Sequence, residues 1–378
     1  MPVLHPPQTR EVRVGDRLAY IDNLRVALTA LVVAHHVALA YGNLGLWPNW
    51  QQPASTAAGL PLDLFVLLNQ SFFMGFFFLL SGLFVPRSGD RRGPGGLARE
   101  RLRRLAIPLA AALVLVRGLY TLPEYLAEPA AVRRPYWEFF LTHWNIGPLW
   151  FLGVLLVFTL VYALLRRLTP AGPTAASTGL RPVPVVLVTL GLGFVLYLWR
   201  IAVPVGTSVL GIPSAAHLPQ YAALFVVGVL AYRRGWLAAL PERTGLLGGG
   251  MILASLVPMV LGEGTATLLN EAGASTAALP HLGFALWEAL FGIGAILVLI
   301  ALFRRFVTSD GPFATFLARN AFAVYLVHAP VIVGIVALLA PLQLAPAAGF
   351  AIVLPAASAA SWLLAALLRR LPGVRSVL

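Results

Sequence analysis

Apolar stretches of about 20 residues recur along most of this chain, and they constrain its fold more than any other feature. In hydrocarbon every backbone N–H and C=O must be paired internally, which restricts spanning segments to helices and closed barrels. A length of about 20 residues is that of a spanning helix. We therefore predict an all-α, polytopic integral membrane helical bundle of about ten transmembrane helices, at about residues 21–41, 63–85, 105–122, 148–165, 183–200, 216–232, 245–262, 283–303, 320–340 and 347–368.

Composition agrees with a membrane protein and excludes several classes of function. Charged residues make up 11% of the 378 residues, whereas a soluble domain carries about 25%. The net charge of +13 would suit nucleic acid, but all 27 basic residues are arginine and they lie in short clusters between apolar runs. Such clusters are typical of topology determinants, so we predict no nucleic-acid partner. The absence of cysteine excludes disulfides, thiolate metal sites and cysteine nucleophiles.

The arginines also predict the orientation of the bundle. With the N-terminus inside, 22 of the 27 arginines fall in segments on the inner side, and only Arg133 and Arg134 fall clearly in an outer loop. This asymmetry follows the positive-inside rule. We predict a cytoplasmic N-terminal tail (residues 1–19) that is retained rather than cleaved as a signal peptide, one transmembrane domain (20–370) and a cytoplasmic C-terminal tail (371–378). The setting is the membrane of a cell, with membrane lipids as neighbours.

The first predicted span carries ionisable residues that have a high cost at membrane depth and mark a functional site. Arg25 and His36 are eleven residues apart, which returns them to one helix face about 16 Å apart along the axis. His36 is a candidate general base because imidazole titrates near neutral pH; the alternative is a packing histidine. His35 points about 100° away and is the weaker candidate. Asp22 lies one turn before Arg25 and is expected to pair with it, as an anchor or as part of the site.

The second span ends in a small-residue pair and a basic loop follows it. Gly82 allows close approach of two backbones, and Ser81 is a candidate ligand contact or bonds its own helix. Arg101 and Arg104 are predicted to share a helix face. Guanidinium groups match phosphates, so a cytoplasmic polyphosphate such as coenzyme A is one candidate partner. The alternative is a role in lipid headgroup binding and topology.

Three further residues lie in or near spans. Trp150 opens the fourth span, where an interfacial aromatic anchor is expected. Glu288 is a carboxylate in the outer half of the eighth span and needs a partner, for which Arg117 and Arg200 are the candidates. His328 in the ninth span is by itself typical of a structural histidine. The histidines show no zinc-ligand spacing, so we predict no metal site.

Together, these segments resemble the acyltransferase 3 family of membrane O-acyltransferases that modify cell-surface glycans. The run Tyr20-Ile21-Asp22-Asn23-Leu24-Arg25 followed by His36 is similar to that family's tyrosine–aspartate–leucine–arginine start and arginine-x10-histidine motif. In the next element Leu83 replaces the family's usual aromatic residue. The resemblance continues in order along the chain through Phe78 to Leu83, Arg101 to Arg104 with Pro108, Gly147 to Phe151, and Tyr325 to His328.

The resemblance implies an acyl-CoA donor on the cytoplasmic side and an acceptor hydroxyl, on a carbohydrate or lipid-linked glycan, at the outer face of a bacterial inner membrane. Acyl-CoA, carrying an acetyl or succinyl group, is then a co-substrate and no cofactor stays bound. His36 would be catalytic, and Arg25 would hold or polarise the donor. The other candidates are Arg101, Arg104, Ser81 and Asp22 on the donor side, and Glu288, Trp150, His35 and His328 on the acceptor side.

Two other readings stay open at this point. A transporter or flippase for a polar lipid or glycan precursor would use the intramembrane arginine, glutamate and histidine as a substrate or proton path, although the sequence shows no internal repeat. A structural membrane component without chemistry is the third reading. The sequence leaves open the acyl group, the acceptor, the oligomeric state, and whether His36 acts as a base or carries the acyl group.

Overall fold

The computed structural model describes residues 19–44, 56–143, 146–169, 179–237, 239–261 and 279–377. Apart from one bridge between Val209 and Ile212, these residues form helices joined by turns and short connections. The helices are α1 (Ala19–Tyr41), α2 (Thr56–Gln70), α3 (Phe73–Arg101), α4 (Ile107–Ala127), α5 (Tyr136–Thr142), α6 (Trp150–Leu168), α7 (Pro182–Ala202), α8 (Leu218–Arg233), α9 (Thr244–Leu261), α10 (Leu279–Phe306), α11 (Pro312–Leu339), α12 (Pro346–Leu368) and the short α13 (Val374–Val377).

The all-α membrane architecture predicted from the apolar stretches is confirmed. Within the described residues, eight helical stretches are long and apolar enough to cross a membrane. One of them, Thr56–Ala127, contains the second and third predicted spans. The shorter apolar helix Thr244–Val260 coincides with the seventh predicted span. The second predicted span is not one continuous helix, because α2 ends at Gln70 and α3 begins at Phe73.

Proline and glycine set several helix boundaries. Proline is the first residue of α7, α11 and α12, where its missing N–H has no intrahelical partner to lose and its fixed φ suits the first turn. Gly93 interrupts α3 with a φ of 71° and a ψ of 167°, followed by Pro94. Because side chains with a Cβ rarely adopt this φ, glycine permits the kink at this point of α3.

The first helix, α1, lies at the centre of the bundle. It packs against α2, α3, α10, α11 and α12. Fully buried apolar side chains occur along its length, from Leu24 and Leu28 to Val33 and Val37, each at most 1% exposed. Interhelical packing is a main source of association between helices in lipid. The residues of the predicted site on α1 are therefore surrounded by other helices rather than by lipid alone.

Helices α3 and α8 approach each other closely at two glycines. A Cβ placed on Gly82 would collide with the carbonyl group of Phe225, and one on Gly228 would collide with the carbonyl of Leu79. The prediction that Gly82 permits close backbone approach is confirmed. Small residues at such crossings let two backbones touch without a gap.

Contacts at the two ends of the bundle agree with the predicted alternation of inner and outer segments. Segments predicted to be inside meet one another, through Asn23 with the carbonyls of Val307 and Ser309, Arg233 with Asp90, Arg304 with the carbonyl of Leu240, and Arg369 with the carbonyl of Arg319. Segments predicted to be outside also meet, through Asn43 with Asp63, Tyr120 with the carbonyl of Ile146, and Trp199 with the carbonyl of Ala215. The compartment that each end faces stays a prediction.

The predicted tails coincide only in part with the described residues. Residues 1–18 of the N-terminal tail lie outside them, and α1 begins at Ala19. The C-terminal tail is described to residue 377 and contains α13. The domain boundaries stay predictions.

Candidate functional site

Two histidines from different helices face each other inside the bundle. The rings of His36 on α1 and His328 on α11 make a T-shaped contact, with 4.9 Å between their centroids. His36 Nδ1 lies 2.8 Å from the carbonyl oxygen of Val32, and His328 Nδ1 lies 2.7 Å from that of Tyr325. A carbonyl oxygen only accepts, so Nδ1 carries the hydrogen in both rings. The lone pair of each neutral imidazole is therefore on Nε2, which is the basic atom.

The two histidines differ in access. His328 is 0% exposed, and its Nε2 has no hydrogen-bond partner among the described residues. His36 is only half-buried, although Val33 and Val37 beside it are buried. His36 is therefore the more exposed of the two histidines. Across the described residues, no group of three or more metal-binding side chains occurs.

His35 is in a different environment from His36 and has the opposite tautomer. Its buried ring stacks on Phe73 with 4.8 Å between centroids. Asn69 Nδ2 lies 3.3 Å from the carbonyl oxygen of Leu31, which identifies this atom as the amide nitrogen, and 3.4 Å from His35 Nδ1. His35 Nδ1 thus accepts, and its hydrogen is on Nε2. These contacts agree with the prediction that His35, which points away from His36, is the weaker candidate for catalysis. A role of His35 on the acceptor side stays a prediction.

Arg25 and Asp22 form the ion pair that the sequence predicts at the start of α1. Arg25 Nη1 lies 3.4 Å from Asp22 Oδ1, and the two side chains are 40% and 21% exposed. A partly exposed pair of this kind adds little to stability. Arg25 is about 16 Å from His36 along the helix, from the rise of 1.5 Å per residue. The structure therefore keeps the cation and the base at different depths of one helix.

The basic segment that the sequence predicts as a loop after the second span instead forms the last part of α3 and the π-helix that follows, and it is organised around one carboxylate. Ser88 Oγ donates to Glu100 Oε2 at 2.7 Å, Arg92 pairs with the same oxygen, and Arg104 Nε lies 3.7 Å from Glu100 Oε1. That Arg101 and Arg104 share a helix face stays a prediction, and residues Leu102–Ala106 form a π-helix. Its i→i+5 bonding widens the turn, so α-helical spacing does not apply.

A second ion-pair group at this end has no signature in the sequence. Arg233 at the end of α8 donates to both carboxylate oxygens of Asp90 at 2.8 and 2.7 Å, and to the hydroxyl of Tyr162 at 3.0 Å. Arg166 Nη2 lies 4.0 Å from Asp90 Oδ1. The bidentate geometry fixes the inner half of α3 onto α8 and α6. Ser81 lies in this half of α3, about 12 Å along the helix from Phe73, and its role as a ligand contact stays a prediction.

Two of the sequence motifs that resemble the family contact each other next to the histidines. The hydroxyl of Tyr325 donates to the carbonyl of Pro148, and the rings of Phe151 and Tyr325 lie 5.6 Å apart. Tyr325 in turn holds Nδ1 of His328 through its carbonyl. The run from Gly147 to Phe151 is thereby linked to His36 through α11.

Trp150 is not the interfacial anchor that its position predicts. It is 6% exposed, and its ring stacks on Tyr221 with 5.3 Å between centroids. Tyr221 stacks in turn on Phe78 at 5.1 Å. Trp150 faces inward because the start of α6 packs against Tyr221 of α8, which contacts Phe78 of α3. Its role on the acceptor side stays a prediction.

Glu288 pairs with Arg200, one of the two arginines that the sequence offers as its partner. Arg200 Nη2 donates to Glu288 Oε2 at 2.5 Å, and His217 Nε2 lies 3.3 Å from Glu288 Oε1. Arg117 instead donates to the carbonyls of Phe140 and His143. Arg117 therefore holds the end of α5, whereas Arg200 and Glu288 join α7 to α10.

A polar link between the histidines and this outer cluster was missed in the sequence. Asn69 reaches His35, and the next residue, Gln70, donates to the hydroxyl of Tyr221 at 3.0 Å and lies 3.5 Å from Ser214 Oγ. These two residues stand where α2 ends, before the break that leads to α3. The sequence feature that could have indicated this link is the polar triplet at 69–71 inside an apolar span, because polar groups at membrane depth need partners.

Comparison with known proteins covers nearly all of the chain. The family model of the acyltransferase 3 domain matches residues 18–366 of this chain. Glucans biosynthesis protein C of Escherichia coli strain SMS-3-5 / SECEC is 25% identical over 336 residues, which cover 84% of this chain and 82% of the relative. The proteins of the same name from Escherichia coli O9:H4 strain HS and O8 strain IAI1 give the same identity and coverage.

Proposed function

Because this chain belongs to the acyltransferase 3 family, we propose that it moves an acyl group, acetyl or succinyl, from cytoplasmic acyl-CoA to a hydroxyl of a cell-surface or periplasmic glycan in a bacterial inner membrane. One observation supports this most: the half-buried histidine on the central helix, His36, donates Nδ1–H to the carbonyl of Val32, which leaves the lone pair on Nε2. The relatives are named glucans biosynthesis protein C, and this name supports a glycan acceptor.

In the proposed reaction His36 is the general base. Its Nε2 takes the proton of the acceptor hydroxyl while the hydroxyl oxygen attacks the carbonyl carbon of the thioester. The tetrahedral intermediate then breaks its carbon–sulfur bond, and the coenzyme A sulfur leaves with the proton from the imidazolium. The bond from Nδ1–H to Val32 strengthens while the ring is charged. The scheme has acyl-CoA as co-substrate and needs no bound cofactor.

His328 acts in this scheme through His36. Its own Nδ1 is held by Tyr325, and its ring edge packs against His36. Since His328 is fully buried, it does not reach a substrate by itself. It keeps the His36 ring in one orientation, which matters because a general base must meet its proton within hydrogen-bond reach.

The donor would lie along α1 from its inner end toward His36. The polyphosphate stays at the basic segment, where Arg101 and Arg104 are the candidates, and Arg25 lies beside the donor about 16 Å before His36. Glu100 already contacts Arg92 and Arg104, so phosphate binding competes with this carboxylate. The acyl group then reaches the base inside the hydrocarbon layer of about 30 Å.

The experiment that tests this proposal uses membrane vesicles of both orientations. Acyl-labelled acetyl-CoA or succinyl-CoA is added outside, and label is measured in a gluco-oligosaccharide placed on the opposite side. We expect transfer in inside-out vesicles and none in right-side-out vesicles, because only the former expose the basic segment. Absence of both transfer and acyl-CoA binding in inside-out vesicles would contradict the proposal and favour transport.

A further inference from the structure

A buried polar cluster lies near the outer ends of three helices, apart from the histidine pair. It consists of Arg200 at the end of α7, His217 just before α8 and Glu288 in α10. The side chains of Arg200 and Glu288 are 9% and 2% exposed, and His217 is 7% exposed. The turn at residues 203–214 lies beside them along the chain. Charged groups this deep in a membrane protein are rare and typically functional.

The ion pair uses only part of the bonding capacity of its members. Among the described residues, Arg200 Nε and Nη1 and Glu288 Oε1 have no hydrogen-bond partner. The contact of His217 Nε2 with Glu288 Oε1 at 3.3 Å does not meet hydrogen-bond geometry. A purely structural pair would be expected to fill these positions, because each buried polar atom without a partner is destabilising. Two donor atoms of Arg200 and one acceptor atom of Glu288 are therefore left over at this ion pair.

The chemistry of these atoms selects one class of ligand. Arginine only donates and a carboxylate only accepts, whereas a hydroxyl does both. An anion would be repelled by Glu288 and a cation by Arg200, since their formal charges cancel. Aromatic faces adjoin the cluster: the Arg200 guanidinium lies 5.4 Å from the centroid of Phe284, and the rings of His217 and Tyr221 stack at 6.1 Å. Polar side chains beside aromatic rings suit the hydroxyls and apolar faces of a sugar.

We propose that Arg200, Glu288 and His217 bind non-reacting hydroxyls of the glycan acceptor, at a site separate from the reacting hydroxyl at His36. The identification of the ligand as the acceptor rests on the proposed function. The two sites are joined by consecutive residues, because Asn69 contacts His35 and Gln70 contacts Tyr221. An oligosaccharide longer than one residue can then contact both. The three side chains lie near the predicted outer ends of their helices, which is the side from which the acceptor is proposed to arrive.

The test measures sugar binding without acyl-CoA. The full chain in lipid nanodiscs is titrated with a six-residue gluco-oligosaccharide, and binding is followed calorimetrically for wild type and Glu288→Gln. The matched control is Glu138→Gln, which changes an exposed outer glutamate paired with Arg134 at 3.2 Å. We expect Glu288→Gln to weaken binding by about tenfold, from loss of a charged hydrogen bond, and Glu138→Gln to bind as wild type.

The outcomes separate this proposal from the proposed function. Sugar binding that is absent in wild type, or unchanged in Glu288→Gln, would overturn the binding site whether or not acyl transfer occurs. If Glu288→Gln fails to fold, the variant Arg200→Leu/Glu288→Leu removes both charges together and is used instead; normal sugar binding by it would also overturn the site. In transfer assays we expect the KM for the oligosaccharide to rise and the KM for acyl-CoA to stay unchanged.

Discussion

The ion pair of Arg200 and Glu288 allows a quantitative prediction about stability. The two charged atoms are 2.5 Å apart, which corresponds to about 7 kcal/mol of attraction at an effective dielectric constant of about 20. Removing both charges from water costs several kcal/mol per ion, so the net contribution of the pair is far smaller than the attraction. Replacing Glu288 alone by leucine leaves the Arg200 charge buried and unpaired. We expect this to lower the free energy of unfolding by about 3–5 kcal/mol.

The assay is equilibrium unfolding of the purified chain in mixed detergent micelles, with four proteins: wild type, Glu288→Leu, Arg200→Leu and the double variant. We expect each single substitution to be strongly destabilising and the double variant to recover most of the loss, because two apolar side chains can replace a buried pair at little cost. The coupling energy of the cycle should then be positive and large. Single variants within about 1 kcal/mol of wild type would refute the reasoning, since they would show that water already solvates the pair.

Three further predictions concern packing, the donor and the second histidine. Gly82→Val should lower the free energy of unfolding by about 1–3 kcal/mol in the same assay, because the valine side chain collides with α8. The control is Gly249→Val, whose side chain meets open space. It should change the free energy of unfolding by less than about 1 kcal/mol. Arg101→Ala and Arg104→Ala should each raise the KM for acyl-CoA by about tenfold through loss of a phosphate contact. The KM for the oligosaccharide should stay unchanged. A KM for acyl-CoA equal to that of wild type would contradict the donor site. His35 packs on Phe73, so His35→Phe should retain acyl transfer and lose about 1 kcal/mol of stability with the Asn69 contact, as measured by transfer rate and unfolding. Loss of transfer in a folded protein would contradict this expectation and support the acceptor-side role.

Features set by local sequence were predictable. The spans follow from the need of a membrane for long apolar helices, and the pair of Asp22 and Arg25 follows from helical spacing. The close approach at Gly82 was also predictable, because a small residue in an apolar span is typical of a helix crossing.

Features that depend on how distant helices pack were not predictable from local pattern. Arg233 and Asp90 are 143 residues apart, and nothing in either neighbourhood indicates the other. Trp150 has the position of an interfacial anchor but packs inward against Tyr221, because the arrangement of α3, α6 and α8 decides which side is lipid. The π-helix after Arg101 changes a spacing that the sequence alone presents as α-helical.

The candidate site combines both kinds of feature. His36 was identified from its depth in the first span, a local property. Its contact with His328, the tautomer set by Val32, and the link through Asn69 and Gln70 required the packed bundle. The sequence thus proposes His36 as the base, and the fold adds the groups that contact it.

The central claim is that His36 is the base for acyl transfer, and one comparison tests it most directly. Inside-out vesicles containing wild type, His36→Ala or the matched neighbour His35→Ala receive acyl-labelled acetyl-CoA and gluco-oligosaccharide, and the initial rate of label transfer per folded protein is measured. We expect His36→Ala to lose transfer by about 100-fold or more and His35→Ala to retain it within about tenfold. Transfer by His36→Ala at the rate of wild type would contradict the claim and place the catalytic group elsewhere in the bundle.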